Sequence, residues 1–399
     1  MLIAITGDGH CDERSRFDEW KRIHDWMADD WRARGIRLVL NAGDLYERRS
    51  TPDERNAMAA WVRKVGQFAE QVIIRGNHDV MHDLLLLSQL DTEHEVRVLE
   101  HPEVVCTRDA SYGRVLVACM PWPRKAGVLA HAAQLGLGSE GAELLAHEAL
   151  QQILRGLGDQ MDSEGDLLPR ILLSHAMVRA AVTSVGQPLV GCDMEVGLED
   201  LRLARADIYA LGHVHMPQLF AGKPGSGLDG MHGRAGDVFY TGSPRRTAFG
   251  EIESKSYVLY DTETKTWERI ETPCAPMILL TSEWNDRSFD FSGDDFADLG
   301  PIEPRTEIRF RFTCASEQRG GAMHAAEQLK KEWLALGAAS VVIEAQTLTT
   351  STVKAPEVAE AHGLPDKLDA MWRLREEDVS SSRRGRLLDK LTTIEAELP

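Results

Sequence analysis

Along the first 120 residues, short apolar runs alternate with stretches whose apolar residues recur every three or four positions, the pattern of strand–helix–strand units. Residues 3–6 form the first predicted strand. Phe17, Trp20, Ile23, Met27 and Trp31 then recur at helical spacing, and Gly35 is the expected stop. The run IRLVLN (36–41) predicts a second strand. Pro52 opens a helix carrying Met58, Trp61, Val62, Val65 and Phe68, and QVIIR (71–75) predicts a third strand. Such continuous apolar runs suit a parallel sheet covered on both faces. Residues 125–158 read as helix, and ILLS (171–174) and DIYALG (207–212) as strands. From 217 to 273 short strands and turns follow, with a Gly-rich loop at 221–236. A boundary is expected near 275–300. Beyond it, 306–313, a helix near 320–336 and 339–346 make a small strand–helix–strand unit, and 364–398 reads as two amphipathic helices. The predicted division is 1–275, 276–350 and 351–399.

With 43% hydrophobic and 27% charged residues the chain is ordinary globular material, which excludes disordered and collagen-like classes. No apolar run approaches the about 20 residues of a membrane span, so no membrane role is expected. The opening MLIAITGDGH lacks a basic segment and reads as a buried strand, not a signal peptide. Six cysteines (Cys11, Cys106, Cys119, Cys192, Cys274, Cys314) are scattered with no CxxC pair, which points to reduced thiols in a cytoplasm. The formal net charge of −18 changes the picture more. It works against binding nucleic acid through bulk charge, so such a role needs local basic groups, metal ions or a basic partner.

Five short motifs each follow a predicted strand: Asp8-Gly9-His10, Gly43-Asp44, Gly76-Asn77-His78-Asp79, Ser174-His175 and Gly212-His213-Val214-His215. In a parallel α/β sheet the carboxyl ends of the strands line one crevice, so these pieces are expected to converge at one sheet edge. What converges is a set of carboxylates, an amide and imidazoles, oxygen and nitrogen ligands suited to Mn, Fe or Zn. Singly, each motif is weak. All five in order imply a two-metal hydrolytic centre, with Asp44 as the bridging carboxylate, each oxygen taking one ion. Glycines at 9, 43, 76 and 212 permit close backbone approach.

In that order, DGH, GDLYE, GNHD, SHA and GHVH resemble the calcineurin-like metallophosphoesterase superfamily. ALGHVHMPQ (210–218) and YTGSPRRTAFGE (240–251), with the strand–helix–strand unit and helical tail, resemble the SbcD nuclease family. The resemblance covers the first ~275 residues by motif and the rest by pattern. It implies a metallophosphoesterase β-sandwich flanked by helices, a small α+β capping domain and a helical C-terminal tail. It implies one ion held by Asp8, His10, Asp44 and His215 and a second by Asp44, Asn77, His175 and His213. His78 would stabilise the transition state or protonate the leaving oxygen, and manganese would be the preferred metal. The implied activity is DNA exonuclease and endonuclease action in double-strand-break repair, by a cytoplasmic, nucleoid-associated homodimer that binds DNA and an SbcC-type ABC ATPase. Two departures stand out. Cys11-Asp12 follows His10 where relatives often carry Leu, and Tyr46-Glu47 occupies a place where some relatives have a histidine implicated in exonuclease action.

Other readings stay open on the residues themselves. The same site serves small-molecule phosphodiesterases and protein phosphatases, although these need no additional ~120 residues and no tail. A scaffold that tethers DNA without cleaving it would not need the full ligand set. Asp79 orients His78 or a metal ligand, or caps a helix. Arg245-Arg246 is a solvated turn or a grip on a DNA phosphate. His24, His82, His94, His101, His131, His147, His324 and His362 read as surface groups. The Trp stripe at 20, 26 and 31 reads as core and helix surface. Met58, Trp61 and Val65 either pack on the sheet or serve a dimer contact. The tail either folds back or docks into a partner groove.

Overall fold

A computed structural model describes residues 1–107, 113–123, 135, 138–165, 167–184, 194–220, 232–234, 236–291, 302–348, 358, 361, 363–374 and 380–397. The chain divides into two compact units. One comprises Met1–Leu280, Leu299–Arg309 and Glu332–Val342, and the other Thr281–Asp298, Phe310–Lys331 and Ile343–Pro399. Cys192, His131, His362 and residues 221–231 and 376–378 lie outside the described residues.

The first unit is built on two stacked sheets. The seven-stranded sheet runs His232–Arg234, Thr266–Glu271, Ser256–Asp261, Leu2–Thr6, Leu38–Asn41, Glu70–Ile74, Val96–Leu99. Its last four strands are parallel, and Leu2–Thr6 pairs antiparallel with Ser256–Asp261 on the other side. The six-stranded sheet runs Gln218–Phe220, Val238–Tyr240, Ile208–Gly212, Arg170–His175, Leu116–Met120, Glu103–Cys106. Ile3, Ile5, Leu38, Leu40, Val72 and Ile74 from the first sheet meet Val117, Cys119, Ile171, Leu173, Ile208 and Ala210 from the second in one buried layer. Alternate residues of the first sheet, such as Ala4, Val39 and Ile73, face the helices instead. Both faces are covered, which is why these strands read as unbroken apolar runs.

The helix α1 (Phe17–Ala33) buries Trp20, Ile23, His24, Met27, Ala28 and Trp31, a stripe at three- and four-residue spacing, and the chain leaves it through Gly35 at φ +71°. The helix α2 (Pro52–Gly66) starts on a reciprocal cap. Thr51 Oγ1 accepts from Glu54 N–H at 3.3 Å, and Glu54 Oε2 accepts from Thr51 N–H at 2.9 Å. It buries Met58, Trp61, Val62 and Val65, and Trp61 Nε1–H donates to the His24 carbonyl at 2.9 Å. Met58, Trp61 and Val65 therefore fill the chain's own core and offer nothing to a dimer contact. The far face of the second sheet is covered by Ser139–Ser163, through Ala146, Leu150, Leu154, Leu157 and Met161. Truncating one of these leucines to alanine costs about 2–5 kcal/mol.

A separate four-stranded sheet has the order Phe289–Asp290, Met277–Trp284, Glu307–Ala315, Ser340–Leu348, with the helix Arg319–Ala335 between its last two strands in sequence. Ile308, Phe310, Phe312 and Cys314 alternate inward along Glu307–Ala315. Phe310 and Phe312 meet Phe289 with ring centroids 4.8 and 4.9 Å away. The helical tail is present as Gly363–Leu374 and Ser381–Glu397. These two helices pack on each other, with the Arg384 guanidinium 5.4 Å from the ring centre of buried Trp372. Among the described residues no helix is long and apolar enough to cross a membrane, and Cys11, Cys106, Cys119, Cys274 and Cys314 are free thiols.

Candidate metal centre

The five motifs meet, but not along the edge of one sheet. Asp8, His10, Asp44, Asn77 and His78 follow strands Leu2–Thr6, Leu38–Asn41 and Glu70–Ile74 of the first sheet. His175 ends Arg170–His175, and His213 and His215 follow Ile208–Gly212, both in the second sheet. The centre lies where the two stacked sheets run out together. The loops are tied across the stack: His175 Nδ1–H donates to the Ala42 carbonyl at 2.6 Å, and His213 N–H donates to Asp8 Oδ1 at 2.8 Å. Gly43, at φ +96°, makes the approach possible, since a Cβ there would come within 2.7 Å of both Gly76 N and His175 Nδ1.

Four of the converging residues have left-handed backbone: Asp8 (φ 53°), His10 (φ 44°), Asp44 (φ 54°) and His213 (φ 103°). Each such conformation costs about 1–3 kcal/mol outside glycine. Strain gathered on the residues that carry the chemistry marks a centre held in place by its surroundings.

The side chains fall into three overlapping groups able to hold an ion: Asp8–His10–His215, Asp44–His175–His213 and His10–Asp44–His78. In the first, His10 Nε2 and His215 Nε2 stand 2.9 Å apart. Buried Asp8 Oδ2 has no hydrogen-bond partner. In the second, His175 Nε2 and His213 Nδ1 both lie against Asn77 Oδ1, at 2.8 and 2.9 Å. Asp44 stands between them. Its Oδ2 is 3.3 Å from His175 Nε2 and 3.8 Å from His10 Nε2, while Oδ1 accepts the His78 N–H at 2.9 Å. One oxygen of Asp44 thus faces histidines of both groups.

This donor set fits a pair of divalent ions. It is all oxygen and nitrogen, it leaves a buried carboxylate oxygen unsatisfied, and it points ring nitrogens at each other. Burial works against charge on His175, but the Asp44 carboxylate overrides it and raises the pKa to about 9. Burial, aided by His175, pushes His213 down to about 3. Burial opposes ionisation of Asp44, yet His175 and His10 hold its carboxyl well below the usual range.

Around these groups lies an outer ring that the sequence signalled only in part. Asp79 caps no helix and does not reach His78. Its carboxylate accepts the N–H groups of Asp44, Tyr46 and Gly76 at 2.9, 3.0 and 2.9 Å, fixing the Asp44 loop. Burial, together with the Asp44 charge, raises its pKa to about 7. Glu47 Oε2 lies 2.8 Å from His10 Nδ1, and the Glu47 carbonyl accepts from His78 Nδ1–H at 2.8 Å. The Tyr46-Glu47 departure therefore places a carboxylate beside two of the site histidines. The Trp122 ring lies 4.8 Å from that of His213.

Two expectations fail here. Arg245 is buried, and its guanidinium donates to the carbonyls of Gly9 and His10, so it braces the DGH turn rather than gripping phosphate. Arg246 is likewise used internally, donating to the carbonyls of Glu251, Glu253, Cys274 and Ala275. His24 is a core residue, not a surface group. It stacks on Trp20 at 4.0 Å, donates Nδ1–H to the Trp20 carbonyl and is held neutral by burial, with its pKa near 3. His82, His94, His101, His147 and His324 are exposed or half-buried. Trp20 and Trp31 are core and Trp26 is partly buried.

No curated protein matches the chain. TT1561 of Thermus thermophilus is similar in structure over 68% of this chain and 98% of its own, at 12% identity and a TM-score of 0.40. A dimetal phosphatase from Danio rerio is similar over 68% of this chain and 97% of its own, at 12% identity and a TM-score of 0.39. Residues 1–217, more than half of the sequence, match the calcineurin-like phosphoesterase family. That stretch contains every residue of the three ion-binding groups, and the chain belongs to this family of metal-dependent phosphoester hydrolases.

Proposed function

We propose that the chain is the manganese-dependent DNA nuclease subunit of a complex similar to SbcCD, cleaving phosphodiester bonds. The observation that carries the hydrolytic part is the pair of donor groups Asp8–His10–His215 and Asp44–His175–His213, with Asp44 Oδ2 3.8 Å from His10 Nε2 and His78 beside them. Asp8, His10, Asp44 and His215 would hold one ion, and Asp44, Asn77, His175 and His213 the other. Two ions there would activate water and neutralise charge on the phosphoryl group. His78 holds Nδ1–H on the Glu47 carbonyl, which leaves Nε2 for substrate. Burial disfavours its charged form, but the Asp44 and Glu47 charges raise its pKa, which suits a donor to the leaving oxygen.

The DNA part rests on the chain beyond the family match. Small-molecule phosphodiesterases and phosphatases need no second unit and no tail, whereas this chain carries both. The segments 210–218 and 240–251 that resemble SbcD build the surroundings of His215 and His10. The paired tail helices are proposed to dock on an SbcC-type ATPase, and a homodimer is part of the same reading, since two-fold dimers are the commonest assembly. With a net charge of −18 and Arg245 and Arg246 used internally, DNA affinity is assigned to the ions and a basic partner.

The test is hydrolysis of an end-labelled duplex and of bis-p-nitrophenyl phosphate, each with Mn²⁺. The proposal expects both to be cleaved. Cleavage of the small ester alone would move the reading to a small-molecule phosphodiesterase or a protein phosphatase.

A further inference from the structure

The segment 243–255 contributes no residue to the ion-binding groups, yet Lys255 and Glu251 in it have side chains with no exposed surface. Lys255 Nζ lies 2.7 Å from Glu251 Oε2, 2.9 Å from Glu253 Oε1 and 3.1 Å from Ser243 Oγ. An ammonium has three protons and no lone pair, so all three contacts are donations. A buried ion pair is weak evidence for stability, because apolar residues of similar volume often serve as well. Its geometry says more.

Glu251 Oε1 lies 2.9 Å from Thr247 Oγ1, and Thr247 Oγ1 lies 3.0 Å from His215 Nδ1. A carboxylate paired with an ammonium only accepts. The single hydroxyl proton of Thr247 therefore goes to Glu251, and the Thr247 oxygen must accept from His215 Nδ1–H. That choice leaves the lone pair of a neutral His215 on Nε2, the atom 2.9 Å from His10 Nε2. Across from it, His10 Nδ1 stands 2.8 Å from Glu47 Oε2. The inward lone pair of His215, facing His10 Nε2 and beside the unpartnered Asp8 oxygen, makes a position for a cation.

We infer that Lys255 and Glu251 act through Thr247 as positioning residues that fix the tautomer of His215 and so form one of the two ion positions. The inference deepens the metal-centre reading and rests on it. The other position is oriented differently, by the Ala42 carbonyl on His175, so the effect is confined to one ion.

The test uses the full-length chain, Thr247→Val, which keeps the shape without the hydroxyl, and Thr247→Ser, which restores it. Nitrogen-15 histidine spectra of the metal-free wild type should show His215 as the Nδ1–H tautomer, and Thr247→Val should lose that preference. Titration with Mn²⁺ should show two ions bound by the wild type. In Thr247→Val one should weaken by about 10–100-fold with the other unchanged, and Thr247→Ser should recover. An Nε2–H tautomer in the wild type, which requires no variant to fold, overturns the inference. So does a Thr247→Val protein that keeps both affinities, whether or not its thermal midpoint falls. A wild type that binds no Mn²⁺ overturns the metal-centre reading and this inference with it.

Discussion

Replacing His78 with alanine should separate the chemistry from ion binding. The backbone N–H of His78, which alanine keeps, donates to Asp44 Oδ1 at 2.9 Å, so the carboxylate between the two donor groups stays anchored. The Asp8–His10–His215 and Asp44–His175–His213 groups are each complete without it. What is lost is the ring, about a third exposed, whose Nδ1–H is tied to the Glu47 carbonyl. Before ions bind, burial works against its charge while the Asp44 and Glu47 charges raise its pKa. Removing a positioned proton donor typically lowers turnover 10²–10⁴-fold, about 2.7–5.4 kcal/mol at 1.36 kcal/mol per tenfold. The stability change should be no more than the about 0.5–1.5 kcal/mol of one hydrogen bond. The assay is kcat on bis-p-nitrophenyl phosphate alongside metal content by mass spectrometry. Two ions per chain with kcat reduced in that range is the expected result. Loss of an ion together with activity would make His78 a ligand, as the third group His10–Asp44–His78 permits, and would refute the assignment.

Three further outcomes follow from the geometry. Asp79→Asn presents an amide –NH2 to one of three backbone N–H groups that now meet carboxylate oxygens, so it should destabilise the fold by about 1–3 kcal/mol in urea unfolding; an unchanged midpoint would contradict the role given to Asp79. His24 has its pKa pushed from the ordinary 6.5 to about 3, so its contribution is present above pH 6.5 and is lost as pH falls towards 3, because only the unfolded chain takes up the proton there. Wild type should therefore lose more stability over that window than His24→Gln, and parallel stability–pH curves would count against a neutral buried imidazole. Truncation before Gly363 removes both tail helices and should leave Mn²⁺-dependent hydrolysis and the thermal midpoint intact while abolishing co-purification of an ABC-type ATPase; undiminished ATPase binding would reject tail docking.

The elements that could be read from the sequence were those with a local cause. The apolar runs ending at Thr6, Asn41 and Ile74 are strands because they are buried on both faces, and the α1 stripe follows helical spacing. Which sheet a strand joins has no local cause. The motifs at 175 and 213 read like those at 8, 44 and 77, so one sheet was expected, although the structure divides them between two. His24 sits one turn after Trp20 on the stripe that runs to Trp31, and that position was the available signal for a core histidine. Arg245 reads as an exposed turn residue, because nothing in GSPRR shows that the DGH turn directs the Gly9 and His10 carbonyls at it from more than 230 positions away. Glu251 and Lys255 were hidden for the same reason. The His215 that they reach through Thr247 is distant in sequence, and buried charge leaves no periodic trace.

The central claim is that two ions share the Asp44 carboxylate between donors from the two sheets. Anomalous diffraction from crystals grown with Mn²⁺ tests it most directly. The account predicts two peaks about 3.5–4 Å apart, one beside Asp8, His10 and His215 and the other beside Asn77, His175 and His213, with Asp44 touching both. In Asp44→Ala both peaks should weaken or vanish. A single peak, or two peaks that persist without Asp44, would contradict it.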